Sequence, residues 1–308
     1  MNVEVPQYPR AGRRAAVLGH PIAHSLSPVL HRAAYAALGL PDWRYEAVDV
    51  DEAGLAAFLS GCGPGWSGWS LTMPLKRAVR PLLVRESALA RAVGAVNTVL
   101  VAPDGLEGFN TDVHGMVQAF GELGVHGAQA PGQEVPRRRA AVLGAGATAA
   151  SAIAALQELG CPDPVVHARS PSRATDLQAA AVRLGLELRL APFTASAMVT
   201  SVEQVDLVVS TLPVGVADSL VPDGVAAAAG SRRPVLLDVV YDPWPTVLAH
   251  AWSAAGAPVV GGFVMLAHQA NSQVHLMTGM RPPVEAMRAA GERALLARHQ
   301  GPAPVHPA

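Results

Sequence analysis

The sequence predicts an α/β protein of two domains, an N-terminal α/β domain and a doubly wound second domain, with C-terminal helices returning to the first. Three observations predict it. Short apolar runs of strand length alternate with stretches of helical periodicity from Ala15 onward, the pattern of layered α/β structure. A glycine-rich turn, Gly144 to Ala149, joins one such strand to a helix. The chain has 308 residues, more than one average domain and suited to two.

The elements follow in order. Ala15 to Leu18 reads as a buried strand and Pro28 to Leu38 as a helix closed by Gly39. Tyr45 to Val50 alternates as a strand, Glu52 to Leu59 returns to helical spacing, and Trp69 to Thr72 is a strand ending at Pro74. Ala88 to Val93 is helical, and Ala95 to Val101 is a strand turned by Pro103, Asp104 and Gly105 into the next segment. Val113 to Leu123 reads as a helix, and the Gly-, Pro- and Arg-rich stretch His126 to Arg139 as an exposed connection. Ala140 to Leu143, Thr148 to Leu159 and Val165 to Ala168 then form a βαβ unit. Val205 to Ser210, Val235 to Val239 and Pro258 to Val260 supply the later strands of an open parallel sheet. Helix is expected from Val264 to Leu276 and again to about Ala297, before a Pro-rich tail, Gly301 to Ala308, that does not pack. No internal repeat is present.

Composition narrows the function. Half the residues are hydrophobic and 15% are charged, which supplies a core and excludes a disordered chain. A formal charge of −1 leaves no basic excess for nucleic acid, so a small molecule is the expected partner. Cys62 and Cys161 lie far apart and read as free thiols of a reducing compartment. No apolar run reaches the roughly 18 to 20 residues of a membrane-spanning helix. Arg13-Arg14 leads into an apolar run that Gly19, His20 and Pro21 stop, so it reads as the edge of a buried strand and not as an export signal. The expectation is a cytoplasmic protein, with a homodimer admitted.

The chain carries 23 basic residues, and only Lys76 is a lysine. Arginine keeps its proton in a protein, whereas lysine can exchange one, so Lys76 is a candidate acid/base. The competing reading is a leftover of a lysine-poor composition. The turn Gly144, Ala145, Gly146, Ala147 follows a strand and opens a helix, the Rossmann-type context in which glycines admit a pyrophosphate and the helix N-terminus offers unpaired amides. An acidic residue commonly holds the ribose of NAD about twenty positions further on. This chain has Arg169, Ser170 and Arg173 there, groups suited to a 2′-phosphate and hence to NADP. The plainer alternative is a pair of solvated arginines.

Three further fragments combine short polar side chains at element boundaries. His24-Ser25-Leu26-Ser27-Pro28 precedes a helix, Ser70-Leu71-Thr72-Met73-Pro74-Leu75-Lys76 follows a strand, and Asn97-Thr98 with Asn110-Thr111-Asp112 completes the set. Singly they read as caps: Ser27 as an N-cap with Pro28 at the first helical position, Asp112 as the cap of the helix from Val113. Together they suit a polyol and a carboxylate beside a cofactor domain.

Gly19-His20-Pro21-Ile22-Ala23-His24-Ser25-Leu26-Ser27-Pro28, Leu71 to Lys76, Gly94 to Thr98 and Gly108 to Asp112 resemble, in order and spacing, the signatures of the shikimate dehydrogenase family. The likeness runs on through the dinucleotide turn, Asp238 to Pro243 and Met265 to Ala270. The resemblance implies an NADP-dependent oxidoreductase interconverting 3-dehydroshikimate and shikimate in aromatic biosynthesis. It implies Lys76 and Asp112 as the catalytic pair, with Ser25, Ser27 and Tyr241 on the substrate carboxylate and Thr72, Asn97 and Gln269 on the ring hydroxyls. It assigns Gly144, Ala145, Gly146, Ala147, Arg169, Ser170, Arg173, Thr211 and Gly262 to the cofactor. The implied division is a substrate domain of residues 1–112 completed by 263–308, and a dinucleotide domain of 113–262. Ser70 and Ala168 depart from the family, which often has Asn at both. The alternatives are a paralogue acting on quinate or an aminated shikimate, and a metabolite sensor without activity, against which Lys76 and Asp112 both speak. A zinc site from His20, His24 and His31 is disfavoured because Pro21 breaks their helical alignment and no cysteine joins them.

Overall fold

The computed structural model describes residues 12–128, 130, 132–221 and 224–299. The expected Pro-rich tail lies outside the described residues. The first part of the chain runs β1 (Arg14–Gly19), α1 (Ser27–Ala37), β2 (Arg44–Asp49), α2 (Leu55–Gly61), β3 (Trp66–Leu71), α3 (Leu75–Ala78), β4 (Arg85–Glu86), α4 (Ala88–Val93), β5 (Thr98–Ala102), β6 (Gly105–Phe109) and α5 (Asp112–Gly121). The second runs β7 (Ala140–Leu143), α6 (Ala147–Glu158), β8 (Val165–Ala168), α7 (Thr175–Leu184), β9 (Arg189–Pro192), α8 (Ala195–Val202), β10 (Leu207–Ser210), α9 (Val225–Arg232), β11 (Val235–Asp238), α10 (Val247–Ala254) and β12 (Val259–Gly261). Two long helices, α11 (Gly262–Thr278) and α12 (Val284–His299), end the described residues.

Each part builds one six-stranded sheet. The first has the order β2-β1-β3-β5-β6-β4, in which β1 pairs parallel with β2 and β3, and β5 runs antiparallel to both neighbours. The turn at Pro103 to Gly105 makes β5 and β6 a hairpin, so this sheet is mixed. The second has the order β12-β11-β10-β7-β8-β9 and is parallel throughout. Its chain path reverses direction beside β7, which makes it doubly wound as expected.

Several expected boundaries shift. Helix α1 has Leu26 at its N-cap and makes no side-chain capping bond, so Ser27 is the first helical residue and not the cap. Proline is tolerated at either of the first two helical positions, so Pro28 did not settle the register. Asp112 likewise lies inside α5: Thr111 is the cap residue, and Asn110 Oδ1 accepts from the Val113 N–H at 3.3 Å. Both side chains are thereby released from capping. The strand expected from Ala95 begins at Thr98.

The cores explain how the sheets are joined. Val113, Met116 and Phe120 of α5 are buried in one cluster with Val142 of β7, Ile153 of α6 and Met265 of α11. The approach of α5 to α11 depends on Gly115, where a Cβ would sit 2.7 Å from the Met265 carbonyl oxygen and 2.9 Å from Gln269 Cβ. A second core under β10 and β11 is anchored by Trp252, fully buried, whose indole N–H donates to Pro234 O at 3.0 Å. Truncating a side chain of that size costs about 3 to 5 kcal/mol. Among the described residues no helix is long and apolar enough to cross a membrane.

Candidate active site

Lys76 sits on the short helix α3, just past the C-terminal end of β3, where open α/β sheets place ligands. Its main chain is tied down by the Val96 N–H, which donates to Lys76 O at 2.8 Å. Its Nζ donates to Asp112 Oδ2 at 2.6 Å, and the two side chains are only 14% and 5% exposed. The other carboxylate oxygen accepts from Asn97 Nδ2 at 2.8 Å. Asn97 cannot flip, because its Oδ1 accepts from the Thr111 N–H at 2.8 Å and the Thr98 hydroxyl at 2.9 Å. The ion pair is therefore held from both sides.

These groups line a cavity of about 190 Å³. Lys76, Asp112, Ser25, Ser27, Thr72, Asn97, Tyr241 and Gln269 all border it, so every catalytic and substrate residue expected from sequence reaches one place. Gln269 is oriented by its amide donating to Leu266 O at 2.9 Å. Thr72 is admitted close to β1 by Gly19, where a Cβ would collide with the threonine methyl. Ser25 Oγ accepts from the Ser27 N–H at 3.3 Å.

The sequence reading missed Gln273, which also lines the cavity. Its Nε2 donates to Asn97 O and Thr98 Oγ1, both at 3.1 Å. A carbonyl only accepts, so the amide is fixed and its Oε1 faces Ser70 Oγ at 2.8 Å and His31 Nε2 at 3.2 Å. Tyr45 then donates to Ser70 at 2.7 Å. His31 stacks on Tyr45 with ring centroids 3.8 Å apart, and burial lowers its pKa to about 3. The available signal was spacing: Gln273 lies one helical turn beyond Gln269 on the same face. Of the other two histidines weighed for a metal, His20 pairs with Asp49 at 2.6 Å on the surface, and His24 is exposed.

The glycine turn lies at the start of α6. Gly144 adopts φ +106, and a Cβ there would be 2.6 Å from Thr211 Oγ1. Gly146 faces open space, with nothing within 4 Å of an added Cβ, at the N-terminus of a 12-residue helix. That opening beside unpaired amides fits a pyrophosphate. Ala145 and Ala147 complete the turn, and Thr148 of the next position borders the cavity. The Thr211 hydroxyl donates to Leu143 O at 2.9 Å, which fixes the β7 and β10 ends side by side. Gly262 borders the cavity too, and a Cβ there would fall on the Val239 carbonyl. Arg169 is exposed immediately past β8, and the Ser170 hydroxyl lies 3.2 Å from that of Ser172. The Arg173 side chain lies outside the described residues.

The chain resembles known proteins over most of its length. Residues 17–99 match the shikimate dehydrogenase substrate binding domain, and residues 262–290 match the shikimate 5′-dehydrogenase C-terminal domain. The chain is 36% identical over 281 residues to the shikimate dehydrogenase (NADP(+)) of Geobacter metallireducens, covering 90% of this chain and 94% of that protein. The crystal structure of Mycobacterium tuberculosis shikimate dehydrogenase superposes with a TM-score of 0.79 at 40% identity, covering 92% of this chain and 99% of that one. A Thermus thermophilus shikimate 5-dehydrogenase solved in complex with NADP(H) and shikimate gives 0.74 at 34% identity, covering 92% and 99%. Likeness of this extent, over both sheets and the helices that join them, makes the chain a member of the shikimate dehydrogenase family.

Proposed function

We propose that this protein interconverts 3-dehydroshikimate and shikimate with NADP as the cofactor. The observation that carries the reading is the Lys76 to Asp112 contact of 2.6 Å inside a cavity lined by hydroxyl and amide groups. Bound NADP supplies or accepts the hydride. The ring ketone, as it is reduced, becomes an alkoxide that needs a positive charge and a proton. The Lys76 ammonium provides both, and the neutral amine takes the proton back in the oxidation. Asp112 accepts from Lys76 and from a substrate hydroxyl, and Asn97 keeps its carboxylate from rotating. Ser25, Ser27 and Tyr241 receive the substrate carboxylate, and Thr72, Asn97 and Gln269 the ring hydroxyls. Gly144 to Ala147, Thr211 and Gly262 hold the cofactor, with Arg169, Ser170 and Arg173 on its 2′-phosphate.

The same reading divides the chain into a substrate domain of residues 1–112 with 263–308 and a cofactor domain of 113–262, supported by the two separate sheets. It places the enzyme in the cytoplasm, supported by Cys62 and Cys161 being free thiols, and admits a homodimer, which sedimentation reads. The deciding experiment is an absorbance assay at the reduced-nicotinamide band with shikimate and NADP⁺. Turnover that favours quinate or an aminated analogue in kcat/KM, or NAD⁺ over NADP⁺, would replace the substrate or cofactor named here.

A further inference from the structure

We propose that Arg298, at the end of the last helix, is a positioning residue that holds the carboxylate end of the cavity together. The proposal rests on the reading of Ser25, Ser27 and Tyr241 as the carboxylate site. Ser25 lies in the segment between β1 and α1 and Ser27 opens α1, whereas Tyr241 lies past the end of β11 in the other sheet. Arg298 links the two segments directly: its Nη1 donates to His24 O at 3.1 Å, next to Ser25, and to Asp242 Oδ2 at 3.1 Å, next to Tyr241. His299 Nε2 lies 3.5 Å from the other oxygen of Asp242, so the last turn of α12 meets both.

The helix that carries Arg298 is itself anchored. At Gly291 a Cβ would come within 2.5 Å of the Phe263 ring and 2.9 Å of Leu30, so α12 lies tightly on α11 and α1. Between the two tied segments, Tyr241 borders the cavity. Burial pushes the Tyr241 hydroxyl up and the Arg298 charge opposes this, so the guanidinium is felt at the cavity wall. The arrangement places three hydroxyls on the wall of one cavity, with the Arg298 to Asp242 ion pair behind them.

The test compares Arg298→Ala, Arg298→Lys and Asp242→Asn with the wild type, using shikimate and its methyl ester as substrates and calorimetry for shikimate and NADP⁺ binding. Arg298→Ala is expected to raise KM and Kd for shikimate about tenfold, the scale of a lost charge-assisted contact, with kcat within about threefold and the Kd of NADP⁺ unchanged. The methyl ester, which lacks the anion, should separate Arg298→Ala from wild type by less than about twofold. Asp242→Asn should move KM in the same direction, and Arg298→Lys should recover part of the loss by keeping the charge. A KM for shikimate within about twofold of wild type in Arg298→Ala overturns the proposal, as does an equal rise for acid and ester, which would mean general loosening. A wild type that neither binds nor oxidises shikimate overturns the underlying reading and this one with it, whereas an active wild type with an indifferent Arg298→Ala overturns this one alone.

Discussion

Lys76 and Asp112 are 36 positions apart, on α3 and α5, yet their charged atoms meet at 2.6 Å with both side chains largely withdrawn from water. Asn97 occupies the second oxygen of Asp112, so the carboxylate is restrained from both sides while Lys76 borders the cavity.

Lys76→Arg keeps the charge and removes the readily exchanged proton. The expected outcome is a fall in kcat by roughly 10² to 10⁴, the usual worth of a positioned proton-transfer group, with NADP⁺ binding and the melting temperature retained. Steady-state kinetics with shikimate measure it; a variant within a few-fold of wild type would reduce Lys76 to an electrostatic role.

Arg169→Ala tests the cofactor clamp. NADP⁺ binding should weaken by about 1.5 to 3 kcal/mol, the range for a lost charged hydrogen bond, while NAD⁺ binding stays nearly constant. Calorimetric titration of both nucleotides decides, and equal losses for the two would remove Arg169 from the 2′-phosphate.

Ser25→Ala should raise KM for shikimate with little change in the melting temperature. The structure leaves the substitution little to remove at the start of α1: the N-cap residue Leu26 makes no side-chain bond, and Ser25 Oγ accepts a long hydrogen bond of 3.3 Å from the Ser27 N–H. A drop in melting temperature with KM intact would return Ser25 to a structural role.

His31 gives a pH prediction. Its imidazole stays neutral in the fold, with a pKa lowered by burial from 6.5 to about 3, whereas the unfolded chain takes up the proton below about 6.5. The stability it contributes is therefore whole above about pH 6.5 and is lost progressively as pH falls toward 3. At pH 5 the loss is about 2 kcal/mol for this one group. Urea unfolding at pH 7 and pH 5 should show a steeper decline for wild type than for His31→Gln. His167, whose pKa burial also lowers, is present in both proteins and cancels. Parallel declines would assign the acid sensitivity elsewhere.

Much of the site was legible because its chemistry demands particular residues at element ends. A lone lysine beyond a strand and two glycines between a strand and a helix are hard to explain by packing. What stayed hidden follows from the same logic. Gln273 is polar on a mostly buried helix, and only the three-dimensional meeting of α11 with Asn97 shows that its amide is used. Helix α3 has four residues and β4 two, too few for periodicity to register. The caps were misplaced because Asn110 and Asp112 are both good capping residues two positions apart, and the carboxylate that was not needed for capping went to Lys76.

Helix α5 begins with Asp112 and continues into the core beneath the glycine turn, packed against α11 through the contact at Gly115. The boundary between the two halves is thus a shared surface and not a linker. Anyone exchanging the nucleotide-binding half for that of a relative should carry α5 and α11 as one cassette with it, because a seam cut at residue 112 brings a foreign α5 against the resident α11 at the close contact of Gly115 with Met265 and Gln269. A chimera joined there would lose its fit at the same place where it must keep Asp112 aligned, so altered cofactor preference and lost turnover would arrive together.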